Sequence, residues 1–351
     1  MKKRMYGLDL FRCIAALLVF MFHGKLRGLH DYGIFNNFIS MGAMFMTAFF
    51  MLSGFSLYYV SNEKSNSLYK IKNFYIKRAV SIYPIYWIWM IFVIITSQDL
   101  LRNKMVIIPI KMLGLQSLWH GLYFSDEGGI WFVSCILFCY ALFPFLCMML
   151  KQLSRRQKIF FLLLFYILSF YTQIMLKITG WNGFCSNYAD CIFRWFEFSV
   201  GSIWASLLKD DNIIKSELLK SWQAVALEWF VLIGIVSLGI SLNIGAGDYM
   251  LYNIISIPLY CIMFYSFVGV KISEKMGRVI NYFSSISYAF YLMQTFTWMI
   301  MKTVLRAYDW HLNIAIIICS IILNIVIASA VTYCISKPIT RWCYKKLAVE
   351  K

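Results

Sequence analysis

Two polar side chains, Arg12 and His23, interrupt the first hydrophobic stretch of the chain. They stand eleven positions apart, and at about 100° per residue this spacing brings both side chains to one face of a helix, about 16 Å apart along its axis. An imidazole can take up a proton near neutral pH, and a guanidinium can hold an anion. Arg12 and His23 are therefore candidates for proton transfer and anion binding.

A structural role is an alternative for both residues. Asp9 lies three positions before Arg12 on the same helix face, so the two could form an ion pair that only orients the helix. His23 could pack against a neighbouring helix through one hydrogen bond. The sequence leaves these alternatives open, and a structural ion pair could coexist with ligand binding.

The composition indicates that these residues belong to a membrane-spanning helix. Of the 351 residues, 61% are hydrophobic and only 14% are charged, which is far more apolar than a soluble domain. The sequence predicts an all-α, polytopic membrane protein with about ten spans, since about ten stretches are long enough to cross a bilayer. These stretches are Leu8–Phe22, Phe38–Val60, Ala79–Thr96, Ile130–Leu150, Ile159–Leu176, Cys191–Leu208, Ala224–Leu242, Met250–Val270, Val279–Ile300 and Leu312–Ile335.

The basic residues predict the orientation of the chain. More than two thirds of the 33 Lys and Arg residues fall in the segments that are cytoplasmic if the N-terminus is cytoplasmic. Both termini are therefore expected on the cytoplasmic side. The net charge of +17 then reflects topology and attraction to membrane lipids, and it gives no reason to expect a nucleic-acid partner.

The chain is expected to form a single integral-membrane domain over residues 1–351, without a separate soluble domain, because no linker or repeat is visible. The ten cysteines are scattered and show no metal-type spacing against the four histidines. We therefore expect no metal site.

Five motifs are spread along the chain: Leu8–Arg12 followed by His23, Phe49–Phe55 with its Leu-Ser-Gly-Phe ending, the basic motif Lys77–Trp87, Ile130–Pro144, and Ser285–Leu292. Together, in order and spacing, they resemble the bacterial integral-membrane acyltransferases of the acyltransferase-3 family. The resemblance covers the whole chain.

The resemblance implies a function and a set of roles. Family membership implies transfer of an acyl group, typically acetyl, from acyl-CoA to a hydroxyl of a cell-surface carbohydrate, free or lipid-linked, by an enzyme of the bacterial inner membrane. It implies His23 as general base, and Arg12 as the group that holds a donor phosphate or polarises the thioester. Arg78 and Lys77 would bind coenzyme A, although basic residues at this depth also serve as topology anchors.

Four positions depart from the family pattern. Ser81 stands where a second arginine is usual in the basic motif, and Ile136 stands where many members have a carboxylate. Gln294 replaces a common histidine, and Ser336 or Lys337 replaces a common acidic residue before the last proline.

Arg194 and Glu197 form a second polar pair in an apolar stretch, three positions apart. The pair could shape an acceptor pocket or form a buried structural ion pair. Trp131 ends an aromatic-rich segment that would suit stacking on sugar rings, and membrane-interface anchoring explains that segment equally well.

Two other classes of function compete with the enzyme. A transporter or flippase of lipid-linked glycans would also place polar groups along a path through the membrane. A non-catalytic scaffold could keep the fold, and Ser81 and Gln294 are the residues that favour it.

Overall fold

The computed structural model is helical, and the residues that it describes contain no strand. This confirms the predicted all-α class. The described residues are 5–27, 32–61, 68–96, 101–119, 122, 129–179, 187–210, 226, 229–230, 233–234, 252–268, 270, 272–308 and 314–347.

Twelve α-helices make up most of the described part of the chain. The α-helices are α1 (Tyr6–Leu26), α2 (Asn36–Ser40), α3 (Phe45–Val60), α4 (Leu68–Thr96), α5 (Leu101–Met112), α6 (Trp131–Gln152), α7 (Arg155–Thr179), α8 (Cys191–Asp210), α9 (Asn253–Val268), α10 (Glu274–Ala307), α11 (Ile314–Ala330) and α12 (Lys337–Lys346). A six-residue π turn, Val331–Ser336, joins α11 to α12.

Several of these helices can cross a membrane, which confirms the polytopic membrane class. Within the described part of the chain, five helical segments have the required length and apolar character: Tyr6–Leu26, Gly33–Val60, Ile71–Ile95, Trp131–Gln152 and Ile314–Lys346. The count of ten spans and the cytoplasmic termini stay predictions. The expected span Ala224–Leu242 lies largely outside the described residues.

Two helices differ from the sequence-based expectation. The third span was expected to begin at Ala79, but α4 begins at Leu68, so the basic motif lies inside a helix rather than at its entrance. A helix can extend beyond its apolar stretch because its backbone hydrogen bonds are satisfied internally, while long basic side chains reach toward water. The short helix α5 was not predicted, because its segment was assigned to a connection.

Helices α1 and α10 pack side by side and run parallel. Arg12 of α1 bonds to Ser284 of α10, and farther along both helices the ring of Phe20 stacks on Trp298, with ring centroids 4.2 Å apart. Residue numbers rise together along the two helices. Positions along the axis of α1 can therefore be compared with positions along the axis of α10.

Helices α3 and α8 are in close backbone contact at two glycines. A Cβ atom on Gly54 would overlap the Phe198 carbonyl oxygen, and one on Gly201 would overlap the Met51 carbonyl oxygen. Backbone atoms cannot move aside as the end of a flexible side chain can. The two glycines are therefore required for this approach, as small residues are at many membrane helix interfaces.

We predict that Gly201→Ala lowers the stability of the protein by roughly 1–3 kcal/mol, because α3 and α8 must separate to accommodate the methyl group. Thermal unfolding of the detergent-solubilised protein, followed by tryptophan fluorescence, measures the effect. Gly234→Ala is the matched control, since a Cβ there meets no described atom within 4 Å. Equal unfolding temperatures for the two variants would contradict the close packing.

Candidate active site

A polar cavity of about 410 Å³ lies among α1, α3, α4, α6, α10 and the segment formed by the π turn and α12. Three cationic side chains line it: Arg12, Arg78 and Lys337. No Asp or Glu is among the described residues that line it, and serine, threonine and tyrosine side chains complete the polar lining. Cations combined with hydroxyl donors suit an anionic ligand.

Arg12 is held at the cavity wall by Asp9 and Ser284. Its Nη1 donates to Asp9 Oδ1 at 3.0 Å and to Ser284 Oγ at 3.2 Å, and Ser284 Oγ donates to Asp9 Oδ1 at 2.7 Å. One nitrogen makes both arginine bonds, so other N–H groups of the guanidinium remain for a ligand. The ion pair orients Arg12 without consuming its binding capacity, and ligand binding by Arg12 stays a prediction.

Arg78 reaches the same cavity from α4. Its guanidinium lies over the rings of Phe74 and Tyr140, 5.7 Å and 5.6 Å from their centroids. Its Nε is buried and has no hydrogen-bond partner among the described residues. Lys77, the adjacent residue, does not line the cavity. The structure thus brings Arg78 and Arg12 together and leaves Lys77 outside.

Three of the four departures from the family pattern also fall on the cavity. Ser81 lines it and donates its hydroxyl to the Arg78 carbonyl oxygen at 2.8 Å. Ile136, Ser336 and Lys337 line it as well. The residue types that this chain substitutes therefore contribute to the composition of the cavity, whose described lining has one arginine on α4 and no carboxylate.

His23 lies near the end of α1 and does not line the cavity. Because α1 is continuous, His23 stands about 16 Å beyond Arg12 along the axis. Two hydrogen bonds connect this end of α1 to the segment that follows it. Lys25 Nζ donates to the Asn36 carbonyl oxygen at 2.9 Å, and the Tyr32 hydroxyl donates to the Met21 carbonyl oxygen at 3.1 Å. His30, His120 and His311 lie outside the described residues.

Gln294 lies on α10 between Phe290 and Trp298, whose rings both contact Phe20 of α1. It stands ten residues, about 15 Å, beyond Ser284 on α10, and Ser284 bonds to Arg12 on the parallel helix α1. Its side chain is fully buried, and neither amide atom has a hydrogen-bond partner within the described part of the chain. Sequence reasoning identified Gln294 only as a departure from the family pattern. The signal in the sequence was its position on the same predicted helix as Ser284, ten residues farther along.

Arg194 and Glu197 form a buried polar network away from the cavity. Arg194 Nη1 lies 2.8 Å from both carboxylate oxygens of Glu197. Thr47 Oγ1 at 3.0 Å and Asn253 Nδ2 at 2.9 Å also donate to Glu197 Oε1. Both charged residues are 0% exposed. This arrangement favours the structural alternative, since the carboxylate already has several donors.

Three aromatic rings enclose Arg194. The guanidinium lies 4.6 Å from the centroid of Tyr188 and 5.3 Å from the centroids of Phe50 and Trp131. Trp131 is 6% exposed, so this contact accounts for its position. The sugar-stacking role of Trp131 and the acceptor role of Arg194 and Glu197 stay predictions.

Membrane-spanning helices around a cationic cavity define an integral-membrane protein that can hold an anionic ligand. The model of the acyltransferase-3 family, described as an acyltransferase domain, matches residues 5–333. The chain belongs to this family and is a membrane acyltransferase. No curated protein and no solved structure matches the chain.

We predict that Glu197→Ala destabilises the protein by about 3–5 kcal/mol, because it leaves the Arg194 charge buried without its carboxylate. The double variant Arg194→Met with Glu197→Leu should lose less stability, because it removes both charges. Thermal unfolding in detergent compares the two variants. A double variant less stable than Glu197→Ala would argue against a structural ion pair.

Proposed function

We propose that this acyltransferase moves an acetyl group from acetyl-CoA to a hydroxyl group of a cell-surface carbohydrate, in the bacterial cytoplasmic membrane. One observation carries the proposal. Arg12 and Arg78, which sequence reasoning assigned separately to the donor, line one cavity with no carboxylate among its described lining residues.

The cavity suits the phosphate groups of the donor. Arginine binds phosphate through two N–H groups at once, and both Arg12 and Arg78 have N–H groups without a partner among the described residues. The ring contacts of Arg78 and the Asp9 contact of Arg12 restrict the two guanidinium groups before the donor binds. This reduces the entropy lost on binding.

The separation between Arg12 and His23 fits a long donor. Coenzyme A carries its thiol at the end of a flexible pantetheine arm, many bonds from its phosphates. With the phosphates at Arg12 and Arg78, the acyl end can extend toward His23, about 16 Å farther along α1. At that distance Arg12 cannot polarise the reacting carbonyl, so we assign it to donor binding.

His23 supplies the base in this proposal. Its imidazole takes the proton from the acceptor hydroxyl as the oxygen attacks the thioester carbonyl carbon. The resulting tetrahedral intermediate collapses by breaking the carbon–sulfur bond. The thiolate that leaves takes the proton back from the imidazolium, so His23 returns to its neutral form. The carbohydrate acceptor rests on the family resemblance, and a sugar hydroxyl needs such a base because it is weakly acidic.

We predict that His23→Ala lowers the rate of acetyl transfer by about 10²- to 10⁴-fold, the usual contribution of general-base catalysis. Transfer of radiolabelled acetyl groups from acetyl-CoA to surface glycan, measured with purified protein in nanodiscs, gives the rate. His311→Ala is a control of the same residue type. A normal rate in His23→Ala would overturn the assignment of the base.

Wild-type inactivity would have a different meaning. If the wild-type protein transferred no acyl group from any donor, but flipped a lipid-linked glycan in the same nanodiscs, the transporter alternative would replace the enzyme. Activity in neither assay would favour a scaffold.

We further predict that Arg12→Gln raises the KM for acetyl-CoA by about 10- to 100-fold, the range expected when a charged hydrogen-bond donor to phosphate is lost. Steady-state kinetics at several donor concentrations measure KM and kcat separately. Arg155→Gln, on the exposed start of α7, is the matched control. A lower kcat with an unchanged KM would show that Arg12 acts at the reacting group instead.

A further inference from the structure

The last helical segment contributes one continuous wall of the cavity. Thr332 and Ser336 in the π turn and Lys337 and Thr340 in α12 all line it. Their numbers follow the spacing of a single helix face. The family model matches residues 5–333, so Ser336, Lys337 and Thr340 lie just beyond the matched range.

Two polar atoms on this part of the cavity are buried without a partner. Thr332 is 4% exposed, and its Oγ1 has no hydrogen bond among the described residues. On the adjacent helix α4, the Nε of Arg78 is also buried without a partner among the described residues. A buried polar atom without a partner costs roughly 1–3 kcal/mol, so a ligand that bonded to either atom would remove this cost.

Lys337 is positioned by an aromatic ring and not by an acid. Its Nζ lies 3.6 Å from the centroid of the Tyr333 ring, and no carboxylate pairs with it in the described part of the chain. The Tyr333 hydroxyl lies 3.3 Å from the Ser285 hydroxyl of α10. The Tyr333 side chain is thereby linked to α10, and Lys337 lines the cavity beside it with a charge that no described carboxylate neutralises.

We propose that Lys337, Thr332 and Arg78 form a phosphate-binding subsite that the acyl donor occupies. The inference rests on the proposed donor, acyl-CoA, and it assigns one of the donor's phosphates to the last helical segment. A lysine and an arginine from adjacent helices supply the positive charge, and the threonine hydroxyl donates a hydrogen bond to a phosphate oxygen.

A topology anchor is the competing explanation for Lys337, because lysines are common at the ends of membrane spans. Lys346 shows what such an anchor looks like on the same helix. It is exposed, lies 4.8 Å from the centroid of Trp342, and does not line the cavity. Lys346 therefore offers a control with the same residue type, the same helix and the same kind of ring contact.

The test compares donors with and without phosphate, using the full chain in phosphatidylcholine nanodiscs. Lys337→Gln should raise the KM for acetyl-CoA about 10-fold and leave the KM for S-acetylpantetheine unchanged, because the second donor has no phosphate. Thr332→Val should act in the same direction with a smaller effect. Lys337→Arg should restore the wild-type KM, and Lys346→Gln should match the wild type throughout.

Three results would overturn the proposal. Equal changes with both donors would show a positioning role in the fold. An effect that appears only when phosphatidylglycerol is added would assign Lys337 to a lipid headgroup. An unchanged KM for acetyl-CoA would leave Lys337 as an anchor.

A binding measurement separates this subsite from the proposed reaction. Coenzyme A alone should raise the thermal unfolding temperature of the wild-type protein and of Lys346→Gln, and it should lose this effect in Lys337→Gln. This outcome without any acyl transfer would support the subsite and refute the transfer reaction. No stabilisation of the wild-type protein by coenzyme A would overturn the subsite as a donor site.

Discussion

A charged side chain inside a membrane-spanning helix must find a partner or line a polar cavity, and this constraint organises the whole structure. Arg194 satisfies it with a buried ion pair to Glu197 and three aromatic rings around the guanidinium, and only its Nη2 has no hydrogen-bond partner among the described residues. Arg12 and Arg78 satisfy it only in part. Each is held in place by one or two contacts, and each still offers donors to a cavity without a described acidic residue in its lining.

The difference between the two arrangements separates structure from function. In the Arg194 network the charge is paired with a carboxylate that already has several donors, so the network stabilises the packing of α3, α8 and α9. The described residues that line the cavity carry positive charges without an acidic residue to neutralise them, so the cavity can still bind an anion. Helix α1 then links this anion site to His23, and the length of the donor would bridge the two. The separation of Arg12 from His23 is thus part of the mechanism that we propose.

The sequence predicted the elements well and their mutual positions poorly. The length of the hydrophobic stretches predicted the helical segments that can cross a membrane. The three-residue spacing of Arg194 and Glu197 anticipated their ion pair. Lys77 and Arg78 differ by about 100° around a helix, so only one of them can face a given cavity. Which one does so depends on how α4 is rotated against α6 and α10, and no local pattern in the sequence reports that rotation.

The missed features arise from contacts between distant segments. Nothing around Val331–Ser336 signals a π turn, since its residue types suit an ordinary helix, yet this turn directs Thr332 toward the cavity. Gln294 was noticed only for its residue type, because its burial beside α1 depends on the parallel packing of α1 and α10. Tertiary packing decides such positions, and intrinsic propensity does not.

A cryo-EM structure of the protein with a non-hydrolysable acetyl-CoA analogue would test the central claim most directly. The account predicts donor phosphates within hydrogen-bond distance of Arg12 and Arg78, with the pantetheine arm extending along α1 toward His23. Phosphates bound away from this cavity, or an acyl end that points away from His23, would contradict it.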